Sequence, residues 1–367
     1  MKTKIGIVGG GNLGSILAVK FSLKQEVTLY TNLVDKLDLY AKDMKVFDED
    51  HNSYYQGKIA KITCNLQELV DNSDYIFITF PSFLFPSLAQ ELIPLLKKGQ
   101  HLVFVPGSGG AELAFKGALE KGVTITGLQR VHSVGRIIEF GKVVKESGVR
   151  SLLRVASIPN SFNAEAARNI SEFYGIPFEQ LDNYLNITLI NSNPILHTSR
   201  LYTIFKDYKK SVEEYDSLPL FYEEWSLESA ELLIKMDKEL FNIFDKFEEN
   251  GLPVKQITSI LYHYESKDAE GLVRKLTSIE SLKHLTTPNV QKPNGKYIPD
   301  LNSRYFTADF PYGLDILRAF AKLTGVNVPN MDMVSNWYRS VSNDQTKMFN
   351  LEDYGFDNLK QLIDFYK

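Results

Sequence analysis

Six residues near the start of the chain, Gly9-Gly10-Gly11-Asn12-Leu13-Gly14, restrict what can be built around them more than any other stretch. They follow an apolar, β-branched run (Lys4–Val8) and open an amphipathic one (Asn12–Lys24). In that position each glycine of a G-x-G-x-x-G pattern has its own task. Gly9 permits the tight turn, Gly11 lets backbone come close to a pyrophosphate, and Gly14 lets helix and strand pack with no side chain between them. The helix N-terminus then presents free N–H groups and a positive dipole end to the anion. Strand, glycine turn and helix in this order predict a dinucleotide-binding Rossmann unit, with Gly9, Gly11, Asn12, Leu13 and Gly14 at the cofactor.

The second strand, Val27–Tyr30, is followed by Thr31 and Asn32 where such units read the adenosine ribose. An acid there would accept from a ribose 2′-OH and favour NAD, whereas an Arg would favour NADP. Neither is present. Thr31 and Asn32 suit either group, and Lys36 is close enough in sequence to reach a 2′-phosphate. NAD and NADP both stay open, with a slight lean to NADP because no carboxylate repels the phosphate.

Strand and helix patterns go on alternating. Ile59–Thr63, Tyr75–Phe80, His101–Val105 and Val123–Thr126 read as strands; Leu33–Lys42, Ser82–Lys97 and Gly110–Glu120 read as helices. Alternation of this kind predicts an α/β fold, a doubly wound parallel sheet with helices on both faces. Extended stretches around Gly135–Val144 and Leu152–Ile158 can add an antiparallel hairpin at its edge. Pro106-Gly107-Ser108-Gly109-Gly110 ends the fifth strand, at the sheet edge where doubly wound folds bind ligands, although a plain glycine-rich turn would read the same.

From about Asn183 the texture becomes helical. Ser226 can cap a long helix with apolar residues Leu227, Ala230, Leu233, Leu240, Phe244 and Phe247 at three-to-four spacing, stopped by Gly251 and Pro253. Helical patterns recur at Asn193–Phe205, Phe306–Leu323, Met331–Val341 and Asn358–Tyr366, and Thr286–Asn302 reads as a long loop. The boundary between a dinucleotide domain (1–185) and a mostly α-helical substrate domain (186–367) falls near residue 185.

Composition narrows the partners. A formal charge of −4 argues against nucleic acid, which needs a concentrated basic footprint. No run of about 18 apolar residues suggests a membrane span, and the N-terminus lacks the pattern of a signal peptide, so a cytoplasmic protein is expected. The single cysteine, Cys64, reads as a small core residue on a strand. The assembly stays open, a homodimer included.

Two blocks in the second half carry a resemblance. Asn191-Ser192-Asn193-Pro194-Ile195-Leu196-His197 and the run from Asn302 through Arg304 and Asp309 to Leu314 resemble the opine dehydrogenase family, as do the glycine-rich start, the Pro106–Gly110 loop and the segment Arg136–Lys142. The resemblance implies a reductive condensation in which an amino acid's amine and a 2-oxo acid form an imine that takes a hydride from NADH or NADPH. By position it implies His197 and Asp309 as a proton-handling pair and Arg304 as the receiver of a substrate carboxylate. The residue types suit these tasks: an imidazole titrates near neutral pH, a carboxylate fixes its tautomer, and an arginine fork matches a carboxylate bidentately. Spacing alone would not select them, and Arg304 and Asp309 could instead form a salt bridge within the loop. His132 and Arg136 fit a cleft, the surface or the core equally well. Two other readings compete: a ketopantoate reductase-like dehydrogenase of 2-oxo and 2-hydroxy acids, and a nucleotide-sensing protein without catalysis.

Overall fold

Ile5, Ile7 and Val8 of strand β1 (Lys4–Val8) expose no surface, and parallel strands flank them on both sides. A strand covered on both faces reads as a continuous apolar run, as this one does. In the computed structural model, which describes residues 3–209, 214–342 and 348–367, the chain forms two units. The first runs to Thr188 and includes Tyr366 and Lys367; the second spans Leu189–Phe365.

In the first unit β1 leads through helix α1 (Asn12–Ser22) to β2 (Glu26–Tyr30), β3 (Lys45–Asp48), β4 (Ser53–Gln56) and β5 (Lys61–Thr63). Next come α2 (Leu66–Asp71), β6 (Tyr75–Ile78), α3 (Phe85–Leu92), β7 (His101–Phe104), α4 (Ala111–Ala114), α5 (Gly117–Glu120) and β8 (Thr124–Leu128). The unit ends with β9 (Val134–Glu139), β10 (Val143–Ser147), β11 (Leu153–Ile158), α6 (Asn163–Tyr174), β12 (Phe178–Gln180) and α7 (Leu185–Thr188). The main sheet has the order β12-β11-β8-β7-β6-β1-β2-β5 and is parallel except that β11 and β12 run against the rest. Phe21 of α1, Phe77 of β6 and Phe173 and Tyr174 of α6 interlock over it, with ring centroids 4.9–6.3 Å apart. The expected doubly wound Rossmann architecture is present.

Several expected elements differ. Leu33–Lys42 is a short 3-10 turn, Val34–Leu39, with no buried residue. The path from β2 to β5 is filled by the β3–β4 hairpin, so no crossover helix is needed there. The expected helix Ser82–Lys97 narrows to α3 between two 3-10 turns, because Pro94 has no N–H with which to continue it. Gly110–Glu120 splits into α4 and α5. The stretches Gly135–Val144 and Leu152–Ile158 do not pair with each other: β9 and β10 join a second sheet, β4-β3-β10-β9, while β11 stays in the first. Cys64 lies just past β5 and is only half-buried.

A buried carboxylate ties the second sheet to α1. Glu146 of β10 accepts from His132 Nε2 (2.9 Å), Ser133 Oγ (2.7 Å), Tyr55 Oη (2.8 Å) and Lys20 Nζ (3.2 Å). Burial alone would raise its pKa, but the hydrogen bond from His132 and the charge of Lys20 outweigh it and hold the group at about 2. His132 is therefore a core residue, whereas Arg136 on β9 is exposed.

In the second unit the 23-residue helix α9 (Leu227–Glu249), preceded by α8 (Asn193–Phe205), is central. Ser226 Oγ accepts from the N–H of Ser229, and Gly251 follows the helix at φ +76°. Ala230, Leu233, Leu240, Phe244 and Phe247 are buried as the spacing predicts, while Leu227 in the first turn is exposed. Next come α10 (Ile260–His263), α11 (Ala269–Thr277), β13 (Asn289–Gln291), β14 (Tyr297–Pro299) and α12 (Arg304–Thr307). The last helices are α13 (Asp315–Thr324), α14 (Pro329–Val341) and α15 (Leu359–Tyr366). The expected loop Thr286–Asn302 thus holds a hairpin, turned at Asn294-Gly295 with Gly295 at φ +82°. No helix among the described residues is long and apolar enough to cross a membrane.

One buried acid makes stability depend on pH. Glu112 on α4 is fully enclosed; its Oε1 accepts from Thr188 Oγ1 (2.6 Å) and Tyr366 Oη (2.7 Å), and its Oε2 has no partner among the described residues. Burial pushes its pKa from 4.5 up to about 7 against those two hydrogen bonds. A raised carboxyl contributes stability that is complete below the unfolded value and is lost as pH climbs through the folded one. The window is therefore 4.5 to about 7. Glu112→Gln, which has no proton to lose, should lose less stability than the wild type across that window, by on the order of 3 kcal/mol at most. Urea melts at stepped pH measure this, and parallel curves for the two proteins would mean that Glu112 does not titrate there.

Candidate functional site

The turn after β1 is shaped by what a side chain would strike. Gly9 has φ +117°, which L side chains rarely adopt, and its N–H reaches Tyr30 O at 2.9 Å. A Cβ on Gly14 would sit 1.7 Å from the carbonyl oxygen of Gly9. A Cβ on Gly11 would meet nothing within 4 Å. Gly9 and Gly14 are thus required by the protein's own packing, while Gly11 faces open space. Gly11 is also the N-cap of α1; no side chain caps the helix and no acid lies in its first turn. Free N–H groups at an uncapped helix start, beside a glycine with room above it, fit a pyrophosphate.

The open space is a groove of about 260 Å³ lined by Gly9–Gly14, Thr31, Asn32, Leu33, Tyr40, Thr79, Phe80, Pro81, Leu84 and Phe140. Its lining contains no Asp or Glu. The two residues after β2 part company here. Thr31 is buried, its hydroxyl accepting from Leu33 N at 3.2 Å and facing Tyr40 Oη at 3.4 Å, whereas Asn32 is exposed on the groove. Asn12 uses its side-chain oxygen to accept from Ile137 N (2.8 Å), leaving its backbone for a ligand, and Leu13 packs against the core. Lys36 lies 5.3 Å from the ring centre of Phe140. Tyr40 and the pair Thr79-Phe80 escape sequence reasoning because they come from separate turns, while Phe140 lies in the Arg136–Lys142 segment that resembles the family without a role attached to it. The one available signal is the Phe140-Gly141 pair, where Gly141 has φ +71° and turns β9 into β10.

In the Pro106–Gly110 loop the glycines are structural. Gly107 packs against Gly127, where an added Cβ would lie 2.5 Å from its Cα, and Gly109 and Gly110 have φ +86° and +75°.

In the second unit His197 sits in the second turn of α8 and is 8% exposed. Its Nδ1 lies 2.8 Å from Asp309 Oδ2, and its Nε2 lies 2.8 Å from Tyr222 Oη. The route by which Asp309 arrives explains the spacing. α12 ends at Thr307, and Phe310–Leu314 form a π-helical turn in which Leu314 N bonds Asp309 O at 2.8 Å. The wider turn breaks the register that a continuous helix Phe306–Leu323 would have kept. Gly313 lets this turn press on the start of α8: a Cβ there would sit 3.3 Å from Pro194. The result brings Asp309 to His197 and leaves Arg304 exposed, without an ion pair among the described residues. The alternative salt bridge between Arg304 and Asp309 is not formed. From sequence the aromatic cluster Phe221–Trp225 reads as packing, yet Tyr222 of that cluster hydrogen-bonds the imidazole, and the rings of Phe221 and Tyr305 lie 5.6 and 4.6 Å from it.

Comparison with known proteins agrees with both halves. A family model described as NAD-dependent glycerol-3-phosphate dehydrogenase N-terminus matches residues 4–136, and one described as NAD/NADP octopine/nopaline dehydrogenase, alpha-helical domain, matches residues 180–342. The chain is 27% identical to a tauropine dehydrogenase from Arabella iricolor, over 90% of this chain and 89% of that one. It is 26% identical to an opine dehydrogenase from Haliotis discus hannai, over 92% and 89%. A solved octopine dehydrogenase with NADH and L-arginine superposes with a TM-score of 0.85 at 21% identity, covering 98% of each chain.

Because Gly11 meets no protein atom, Gly11→Val should fold with an unchanged melting temperature but lose most cofactor affinity, read by fluorescence titration with NADH and NADPH. Unchanged affinity would place the cofactor elsewhere.

Proposed function

The chain belongs to the opine dehydrogenase family, and we propose that His197, Asp309 and Arg304 carry its reductive condensation of an amino acid with a 2-oxo acid. It is an NAD(P)-dependent dehydrogenase acting on a CH–NH bond. The ketopantoate reductase-like and non-catalytic readings are not favoured, since the helical half matches the octopine/nopaline dehydrogenase model.

Bound NAD(P)H supplies the hydride that an imine carbon receives. The protein's own residues manage the rest. Joining an amine to a 2-oxo acid expels water, and reducing the imine leaves nitrogen needing a proton, so a positioned acid is required. The observation that carries the assignment is the 2.8 Å contact between His197 Nδ1 and Asp309 Oδ2, made across 112 positions of sequence. A carboxylate on one ring nitrogen fixes the tautomer and stabilises the imidazolium, which prepares the ring to donate in the reductive direction and accept in the reverse. Arg304 supports the role of carboxylate receiver by being exposed, with its fork uncommitted among the described residues.

His197→Ala should lower kcat by roughly 10²–10⁴ with little change in cofactor affinity. Asp309→Asn should lose much of the rate, and the double variant should be little worse than His197→Ala, because paired groups act as a unit. Losses that multiply in the double variant would mean that the two do not work together. Arg304→Lys keeps the charge without the fork and should raise the KM of a substrate by about ten- to a hundredfold; a normal KM with a lowered melting temperature would make Arg304 structural.

The cofactor is proposed to be NADPH in preference to NADH. The support is a groove without carboxylates, with Asn32 exposed on it and Lys36 beside Phe140. Asn32→Asp should then shift the ratio of kcat/KM values toward NADH. A wild-type enzyme at least about tenfold better with NADH, a gap of some 1.4 kcal/mol, would contradict this.

A further inference from the structure

Asp309 accounts for one nitrogen of the His197 ring. The other, Nε2, faces the hydroxyl of Tyr222 at 2.8 Å, and that hydroxyl has no other hydrogen-bond partner among the described residues. Both groups are shielded, with Tyr222 7% and His197 8% exposed. We propose that Tyr222 is a positioning residue that completes an Asp309–His197–Tyr222 chain, donating its O–H to Nε2 and so holding the imidazole neutral, with its proton on Nδ1.

The direction of each bond follows from counting donors and acceptors. An ionised Asp309 can only accept, so Nδ1 carries a hydrogen. In a neutral ring Nε2 is then an acceptor, and the Tyr222 hydroxyl can donate to it, which satisfies all three groups. If the ring were doubly protonated, Nε2–H would point at the tyrosine oxygen and turn the buried O–H away from its one acceptor. An unsatisfied buried donor is costly. A hydrogen bond to the neutral form of a group disfavours the charged form. Tyr222 therefore opposes the protonation of His197 that Asp309 favours.

The tyrosine cannot escape this role by ionising. Burial, followed by the nearby Tyr305, Tyr264 and Asp309, pushes its pKa far above the ordinary value. Tyr305, Tyr264 and Asp309 are the titratable groups that act on Tyr222. Arg200, one turn after His197 on α8, holds the tyrosine's turn in place. Its guanidinium is buried and donates to the carbonyls of Phe221 (3.0 Å), Glu224 (2.7 Å) and Leu220 (3.3 Å) and to Ser229 Oγ (3.1 Å). It also lies 5.4 Å from the Trp225 ring. Glu224 closes the same turn, its carboxylate accepting from Leu220 N at 2.6 Å. One helix thus carries the imidazole and, through Arg200, grips the turn that delivers the phenol to it.

The test is a pH titration of the ¹⁵N-histidine-labelled full chain by NMR, which needs neither substrate nor turnover. In the wild type the His197 signals, assigned by their loss in His197→Ala, should show the Nδ1–H tautomer. In Tyr222→Phe the midpoint of the ring's titration should rise by roughly half to one pH unit, the size of one net hydrogen bond. Melting temperature and cofactor affinity report that the variant is folded; should it fail to fold, the wild-type tautomer alone decides. An Nε2–H tautomer in the wild type, or a midpoint that stays or falls in Tyr222→Phe, overturns the proposal. The pH profile of kcat separates this from the acid/base role of His197, on which the kinetic part rests. A moved NMR midpoint with an unmoved kinetic limb would keep Tyr222 as the ring's partner and remove His197 from proton transfer.

Discussion

Helix α1 can leave strand β1 at the observed angle only because nothing stands between the carbonyl of Gly9 and Cα of Gly14, where a single added carbon would overlap the oxygen at 1.7 Å. That approach aims the start of α1 along the C-terminal end of β1 and leaves its first N–H groups uncapped. Tyr40 holds the same turn from the other side by donating to Gly10 O at 2.9 Å, and its ring packs on Phe140, which lines the groove. The small second sheet is therefore more than decoration. It carries Phe140 to the groove beside the glycine turn, and the Glu146 network that anchors it reaches back to Lys20 on α1.

In the helical unit the equivalent constraint is polar. α8 holds two buried side chains with hydrogen-bonding needs that only other segments can meet: His197, satisfied by Asp309 and Tyr222, and Arg200, satisfied by the carbonyls of the 220–224 turn. Low dielectric raises the cost of leaving any of these unpaired. The geometry of the candidate dyad is thus over-determined by neighbours, which is how a reactive group is kept in one orientation.

Much of the fold was legible because its signals are local. The glycine fingerprint, the β-branched runs and the cap at Ser226 each act within a few residues. What escaped depends on partners far away in sequence. β3 and β4 are short strands with exposed faces, so their alternation is weak, and β9 chose β10 and the second sheet over β11. Helix α6 is an exception, missed although its signal is local: Ala166, Ala167, Ile170, Phe173 and Tyr174 carry the helical period, and the helix ends at Gly175 with φ +71°. At the site, the family resemblance pointed to His197, Arg304 and Asp309 but not to their arrangement. Arg304 and Asp309, five apart, would not share a face of a regular helix; the end of α12 at Thr307 and the π turn Phe310–Leu314, whose Gly313 fits against Pro194, set Asp309 at His197. Tyr222 had no motif at all, since its place is set by Arg200.

The central claim is that amine and oxo acid are joined in one reaction. The direct measurement is a matrix of amino acids against pyruvate, oxaloacetate and 2-oxoglutarate, following loss of NADH or NADPH absorbance and identifying the product by mass. The account predicts oxidation of the cofactor only where both partners are present, with a product mass equal to amine plus oxo acid, less water, plus two hydrogens. Equally fast oxidation with an oxo acid alone, yielding a 2-hydroxy acid, would contradict it.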